Sequence, residues 1–535
     1  MSQIPVILIF LPVLTALFIY LFKWRHMHLL ALLTQTGMTI LAIVYFLHFK
    51  DQFEATHIIL GGWSDVRIGI SLANDGLSMA FIFLTLFMWW SVLTYLYRFG
   101  KTEHTFLFFL MFLQGVFLGL LQSNDLFNLF VFFELTTIIV TILIAYKKTG
   151  ESFRAAIYYL LLNTSGVLLF LIAIVMLYNL YGTINIRVLS EVIHTHADTT
   201  ILKFAYVLMM TGISVKAALF PVFTWLPKAH GVAQSAISAL LSGLIVKGGI
   251  YLFFRINFLF ESAGLPYHNI FFILGLLTAL SGIIFALAQK NIKLMLAYST
   301  VSQIGLIIMG LSSPDITTFY GGVLHTFNHA LFKALLFLGA GVIIAVYRTK
   351  KLDEIRGVFR TMPIISVMMI IGMLAITGMP FFNGYISKSI IKYGFEDSVF
   401  RTLALYLVNI GTTTLFIKMS HIFFGPKMLS YPMKHRQQNI TLLLLALACL
   451  VFGNFYVEIM DAFFGIDYAH ISRISLGGLL DYGITVIIGI LIYLYVLKKD
   501  VRLVKGIREF KISFETANIL FIALLTVLTF YFVIL

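Results

Sequence analysis

The chain has 535 residues, 60% of them hydrophobic and 11% charged, with a mean hydropathy of +0.98; a soluble domain carries about a quarter of its residues charged, so a soluble fold is excluded. At about 20 residues per membrane crossing, the apolar content allows roughly sixteen spans. Lys and Arg outnumber Asp and Glu by 37 to 23, a net +14, which in so apolar a chain points to basic loops on one side of a membrane and not to nucleic acid.

Long uncharged runs, such as Ala155 to Ile186, Ser262 to Gln289 and Gln437 to Val457, are each long enough to cross hydrocarbon as a helix. The predicted spans are 4–22, 29–48, 76–97, 105–122, 126–146, 155–179, 204–225, 232–254, 268–288, 294–312, 318–346, 362–395, 401–424, 440–460, 477–497 and 517–535. The first has no basic residue before it and no small-residue cleavage site after it, so it reads as a retained helix. A single cysteine, Cys449, excludes an internal disulfide and a cysteine-based metal site. The expected fold is all-α and polytopic.

Charge placement supports this count. Lys23/Arg25, Arg98/Lys101, Lys147/Lys148/Arg154, Lys228, Lys290/Lys293, the Arg348 to Arg360 loop, Lys427/Lys434/Arg436 and the Lys498 to Lys511 loop all fall in odd-to-even connections. Those loops are expected in the cytoplasm. Asp51, Glu54, Asp65, Asp125, Glu191, Asp198, Asp315, Glu396, Asp397, Glu458, Asp461 and Asp467 fall in the other set, which puts both termini of this cell-membrane protein outside.

Two spans are interrupted, one at Pro221 and Pro227 and one at Gly378-Met379-Pro380. Proline removes a backbone bond that lipid cannot replace, so such breaks survive only inside protein or beside water. They are the seventh and twelfth spans, the spacing expected of an inverted five-helix repeat. The division that follows is 1–104 for the first three helices and the outside loop, 105–254 and 268–424 for the two repeats, and 425–535 for the C-terminal helices.

A charge at mid-bilayer costs about 2.5–3.5 kcal/mol on insertion scales. Glu134 falls near the middle of the fifth span, and Lys216, Lys247, Lys333 and Lys388 fall in the seventh, eighth, eleventh and twelfth. Burial weakens a lysine's hold on its proton and a nearby carboxylate strengthens it, so a Glu/Lys pair can be switched by moving the partner. Glu134 and Lys216 are expected to be in reach of each other as the first such pair; the alternative is a static pair pinning two helices. Lys418, toward a helix end, is expected to snorkel to headgroups.

His325, His329 and Lys333 stand at i, i+4 and i+8, on one helix face. Neutral imidazoles there can pass protons along a line. His-x3-His could also ligate a metal, but no Asp, Glu or Cys is close in sequence and the lysine one turn on would repel a cation; the other alternative is a pair of histidines simply satisfied inside the bundle. Ser299, Ser302 and Gln303 place polar groups in the tenth span, for water or for helix contacts. No phosphate-binding glycine loop, dinucleotide fingerprint or cysteine cluster is present, so no cofactor and no catalytic redox site is expected in this chain, and energy must come from an ion gradient or from partner subunits.

Several motifs together resemble a known family. They are Gly61-Gly62-Trp63 with Asn74-Asp75-Gly76-Leu77-Ser78, Phe132-Phe133-Glu134-Leu135, Val215-Lys216-Ala217 with Trp225-Leu226-Pro227-Lys228-Ala229-His230, and Ser238 to Gly243 with Lys247. Further on they are Lys293 to Gly305, Asn328-His329-Ala330-Leu331-Phe332-Lys333-Ala334, and Gly378-Met379-Pro380 through Gly384-Tyr385-Ile386-Ser387-Lys388. The chain resembles the antiporter-like proton-conducting subunits of Mrp-type cation/proton antiporters, membrane-bound hydrogenases and respiratory complex I, and most of all the D-type component of the Mrp antiporters. The resemblance implies a fourteen-helix core of two inverted five-helix units with helices seven and twelve broken. It implies proton transfer through Glu134, Lys216, Lys247, His325, His329, Lys333 and Lys388, with other membrane subunits, protons and Na+ as partners. Two differences stand out: Phe381 follows Pro380 where a second proline is usual, and Ser389 stands where some members carry a carboxylate. The expected function is a proton-translocating subunit of an Mrp-type Na+/H+ antiporter, with a redox-driven pump subunit and a non-transporting scaffold as the rivals.

Overall fold

The structure, a computed structural model, describes residues 3–50, 56–61, 69–97, 103–196, 199–426, 436–510 and 512–534. Asp51, Glu54, Gly62, Trp63, Asp65, Arg98, Lys101, Asp198, Lys427, Lys434 and Lys511 lie outside the described residues. In chain order come α1 (Ile4–Phe22), α2 (Met27–Phe49), a hairpin of β1 (Thr56–Leu60) and β2 (Ile70–Asn74), α3 (Gly76–Leu96), α4 (His104–Gln122), α5 (Leu126–Ala145) and α6 (Gly150–Tyr181). The broken seventh crossing is α7 (Thr200–Lys216) and α8 (Trp225–Val232). Then follow α9 (Ser235–Leu259), α10 (Tyr267–Ala288), α11 (Ile292–Leu311) and α12 (Ile316–Tyr347). The broken twelfth crossing is α13 (Pro363–Thr377) and α14 (Asn383–Tyr393). Last come α15 (Val399–Phe423), α16 (Arg436–Asn454), the short α17 (Tyr456–Phe464), α18 (Leu476–Leu497), the short α19 (Arg502–Glu509) and α20 (Phe514–Ile534).

Among the described residues fourteen helices are long and apolar enough to cross a membrane, and the two broken ones bring the crossings to sixteen, as the charge pattern requires. The chain is therefore a multi-pass membrane protein. Among the described residues the one departure from an all-α reading is the β1–β2 hairpin, antiparallel with Ile58 opposite Leu72. Bridges from Leu72 to Ser123 and from Asp125 to Asn185 put the hairpin and the next two even-to-odd connections on one face. A bridge from Asn291 to Lys351 joins two odd-to-even connections on the opposite, basic face.

Helix starts follow their capping residues. Asp75 accepts from the Ser78 N–H and closes a reciprocal box, as Thr149 does with Ser152. The breaks differ from the sequence expectation in one respect. The first half of the seventh helix stops at Lys216, ahead of Pro221, and Pro227 falls in the first turn of α8, where a missing N–H costs nothing. The second half therefore runs on to Val232. Lys228, expected in a loop, lies within it and donates to the Ile512 carbonyl at 2.8 Å. In the twelfth crossing the helix ends where Gly378 turns left-handed at φ +85°, a conformation open to glycine at little cost. The two broken helices run in opposite directions, so Lys216, before its break, and Lys388, after its break, both lie on the hairpin-face side.

Glycine sets the closest packing. A side chain at Gly212 would meet the Gly166 carbonyl oxygen at 2.3 Å, and one at Gly249 would meet the Ala217 nitrogen at 2.6 Å. The backbones of α6 and α7, and of α9 and the first break, are therefore in contact.

Asp125 caps α5 with one oxygen, accepting from the Asn128 N–H at 2.6 Å, while its other oxygen is buried with no protein partner. Burial pushes its carboxyl up to about 6, against the pull of the Asn128, Ser71 and Phe127 N–H groups. An acid whose folded value lies above its unfolded 3.8 holds protons longer in the folded state, so stability falls as pH rises from about 4 to about 6. Asp125→Asn keeps the cap and removes that cost. The variant is expected to unfold at higher temperature than the parent at pH 7.5, by at most about 2–3 kcal/mol, and to match it near pH 4 in the same thermal scan.

Candidate functional site

Six of the seven residues singled out in the sequence are buried: Lys216, Lys247, His325, His329, Lys333 and Lys388 are each no more than 5% exposed. Glu134 is half-buried. What holds the lysines is mostly main-chain carbonyl. At Leu241–Ile245 the helix widens to i→i+5 bonding, and the Val246 N–H goes to Leu241 O. That frees the Ser242 carbonyl, which accepts from Lys247 Nζ. In the twelfth crossing the regular partner of Ile376 O would be the amide of Pro380, which has no N–H; Lys388 Nζ donates there instead, at 2.8 Å. Lys333 Nζ donates to Leu296 O at 2.9 Å and also to Ser299 Oγ.

The line itself runs through α9, α12 and α14. Lys247 Nζ meets His329 Nδ1 at 2.5 Å. One turn away His325 contacts Gln303 Oε1 through Nε2 at 3.0 Å and Ser387 Oγ through Nδ1 at 2.8 Å. An amide oxygen only accepts, so Nε2 carries the proton and Nδ1 accepts from Ser387. Ser387 adjoins Lys388 in α14. Lys333 lies one turn from His329 on the basic-face side. His329 Nδ1 faces an ammonium, which repels a cation, and both nitrogens of His325 are engaged by Gln303 and Ser387. The pair is arranged for hydrogen bonds and not as a metal site.

Glu134 and Lys216 are brought near but not together. No ion pair joins them among the described residues. Glu134 Oε1 accepts from Thr164 Oγ1 at 2.9 Å, and Lys216 Nζ donates to Thr137 Oγ1 at 2.7 Å while lying 4.8 Å from the Phe133 ring centre. The expected contact is thus replaced by threonine and aromatic partners, because Thr137 and Phe133, the neighbours of Glu134 on α5, reach the ammonium first. Lys418 also departs from expectation. Its Nζ does not run to headgroups but donates to Leu287 O and Gln289 O, both at 2.6 Å, where the last carbonyls of α10 lack helical partners.

Sequence reasoning leaves the use of Ser299, Ser302 and Gln303 open; the structure gives Ser299 to Lys333 and Gln303 to His325. It misses His230, fully buried and stacked on Phe337 at 4.6 Å, and Lys293, buried with Nζ on Ala233 O at 2.7 Å. The signal for both is present, a histidine inside the broken seventh crossing and a lysine two residues into the tenth. Several polar atoms near the line have no protein partner: His329 Nε2, both His230 nitrogens, Asn328 Oδ1, Asn383 Oδ1 and Nδ2, Ser302 Oγ and Ser238 Oγ. Buried groups of this kind are served by water.

A polytopic bundle with broken helices seven and twelve and a row of buried lysines and imidazoles between them, Lys247 and His329 in direct contact, defines a multi-pass membrane protein that holds titratable groups inside its bundle. The comparisons with known proteins agree. Residues 123–417 match the family described as NADH:quinone oxidoreductase/Mrp antiporter, TM, more than half of the chain, and the chain belongs to that family. It is 30% identical over 438 residues to a putative antiporter subunit mnhD2 of Staphylococcus aureus (strain JH9), covering 80% of this chain and 87% of the relative. Among solved structures it is similar to a chain of the membrane-bound sulfane sulfur reductase (MBS), an archaeal respiratory membrane complex, with TM-score 0.81, 26% identity and coverage of 91% of this chain and 99% of that one. It shares its fold with a chain of the Mrp complex from Dietzia sp. DQ12-45-1b, with TM-score 0.75, 19% identity and coverage of 95% and 99%.

Gln303 is the acceptor that fixes the His325 tautomer, and its loss leaves a buried N–H unpaired. Gln303→Leu is expected to destabilise by about 1–3 kcal/mol, read as a lowered unfolding temperature of the purified protein, whereas Gln303→Glu, which keeps an acceptor, should stay closer to the parent.

Proposed function

We propose that this chain is a proton-translocating subunit of an Mrp-type cation/proton antiporter, with Na+ as the coupled ion and other membrane subunits as its partners. The observation that carries the reading is the Lys247–His329 contact, with His325 one turn along the same helix and bonded to Ser387, the sequence neighbour of Lys388. Each ammonium in that line sits on a carbonyl, a hydroxyl or an imidazole, so its proton can leave without a buried carboxylate to hold it. Lys216 and Glu134 serve the other end, Lys216 bonded to Thr137, which follows Glu134 by one turn on α5. The relative named as an antiporter subunit and the Mrp-complex neighbour support the choice of complex. The domain division fits the same reading: two five-helix units, 105–254 and 268–424, each supply one broken helix.

A second reading, the same proton-transfer unit in a redox-driven respiratory complex, is favoured by the closer likeness to the sulfane sulfur reductase chain. Exchange assays separate them. Vesicles holding the complex purified with its own partner subunits should show Na+-driven proton movement under the first reading and none without an electron donor and acceptor under the second. In either assay Lys247→Ala and Lys388→Arg should each reduce proton-coupled transport by about 100-fold, the scale of losing one positioned proton-transfer group. Arginine can replace the hydrogen bond of Lys388 but does not give up its proton. Wild-type rates in both variants would favour a scaffold.

We also propose that the basic face is cytoplasmic and both termini are outside. Single cysteines placed at Lys351 and Ser472, in a background lacking Cys449, should be labelled by an impermeant thiol reagent from inside and outside the cell respectively.

A further inference from the structure

On the hairpin-face side of the second break, α13, α14, α15 and α18 enclose a cavity of about 350 Å³ lined by Lys388, Lys392, Glu396, Tyr406, His470 and Asp481 among others. It is the polar space that Lys388 borders. Lys392 follows Lys388 by one turn on the same helix face, their Cβ atoms therefore about 5–6 Å apart. Lys392 Nζ pairs with Asp481 Oδ2 at 2.6 Å, and Tyr406 OH donates to the same oxygen at 3.0 Å. Lys392 and Asp481 are 35% and 39% exposed, whereas Lys388 is buried. The pair thus stands between Lys388 and the hairpin-face surface.

Asp481 comes from α18, beyond the residues that match the family. Much of α18 faces away from the bundle, yet at its hairpin-face end it is tied inward by this ion pair, by Tyr482 OH with Thr377 Oγ1 at 3.0 Å and by Ser475 Oγ with Tyr385 OH at 3.3 Å. Polar contacts gathered at one end of a mostly outward-facing helix, around a cavity that holds a buried lysine, call for a role at that cavity.

We propose that Asp481 is the group that exchanges protons between Lys388 and the hairpin-face solution, and that Lys392 is the gate over it. The inference rests on the reading of Lys388 as a proton-transfer site. While Lys392 holds the Asp481 carboxylate, its Oδ2 is taken by that ammonium and by the Tyr406 hydroxyl. When Lys388 becomes charged, its like charge one turn away weakens the hold of Lys392, which swings to solvent at the rim. The proton of the Lys388 ammonium then passes through the cavity to the freed carboxylate, leaving a neutral amine and a neutral acid. Asp481 loses the proton to solution and Lys392 returns. Lys392 stays protonated throughout and is a positioning residue. Glu396 and His470, on the same wall, stand nearer the mouth and can take the proton onward.

The test uses the intact complex in vesicles. Asp481→Asn is expected to slow proton-coupled transport at least about tenfold and to change its pH profile, with Asp481→Glu restoring both. Lys392→Gln should raise the passive proton leak, and Lys392→Arg, which keeps a fixed charge, should not. Wild-type rate and pH profile in Asp481→Asn, in an assay where Lys388→Arg abolishes transport, would overturn the inference and leave the proposed function standing. Full transport in Lys388→Arg and Lys247→Ala would instead remove the proposed function, and this inference with it. If Asp481→Asn does not assemble, Tyr406→Phe removes one donor from the carboxylate without changing charge. It is expected to displace the same limb of the pH profile, and an unmoved profile together with an unchanged leak in Lys392→Gln would overturn the gate.

Discussion

A lysine buried in a membrane bundle needs an acceptor for its ammonium, and in this molecule the acceptor is most often a carbonyl that the helix itself has released. Pro380 has no N–H for Ile376 O, and Lys388 takes that oxygen. The i→i+5 turn at Leu241–Ile245 diverts the Val246 N–H, and Lys247 takes Ser242 O. Lys293 and Lys418 do the same at the ends of α8 and α10. The irregular backbone and the buried charge therefore answer each other: neither an unpaired carbonyl nor an unpaired ammonium is tolerable in hydrocarbon, and each satisfies the other. A carboxylate in the same place would hold the proton far harder. A carbonyl dipole keeps the lysine in position and leaves its proton transferable.

This arrangement explains what is legible in the sequence. Cost alone selects Lys216, Lys247, Lys333 and Lys388, since a lysine in an apolar run is visible whatever it touches. Helical spacing places His325, His329 and Lys333 on one face, and the structure keeps them there because α12 is unbroken from Ile316 to Tyr347. Charge alternation yields the number of crossings. These are properties of single elements, and a one-dimensional pattern carries them.

Partners between elements are not legible. Nothing near Lys216 in sequence says that Thr137 of α5 will reach it before Glu134 does, or that Ser387 and Gln303 will share the ring of His325. The first break falls ahead of the prolines that suggest it, because the chain leaves the helix at Lys216, where Gly249 of α9 brings a second backbone against Ala217, and Pro227 sits harmlessly in a new first turn. The position of Lys418 near a helix end says nothing of the carbonyls at the end of α10 beside it. Asp481 lies near the start of the predicted span 477–497, and only the fold sets Lys392 against it.

The two broken helices are not equivalent sites. Lys216 is enclosed by the rings of Phe133 and Tyr159 and a single hydroxyl, an apolar surround in which a charge is costly and has few routes out. Lys388 lies against Gly378, whose lack of a side chain lets the lysine stem pass 3.2 Å from where a Cβ would stand, and it opens on a polar cavity. The surroundings of Lys216 are therefore set by its neighbours on α5 and α6, and those of Lys388 by the hairpin-face side of the bundle. Between them, around Lys247, His329 and His325, lie buried polar atoms that the protein itself does not pair, His329 Nε2 and Asn328 Oδ1 among them, and groups of this kind are served by water.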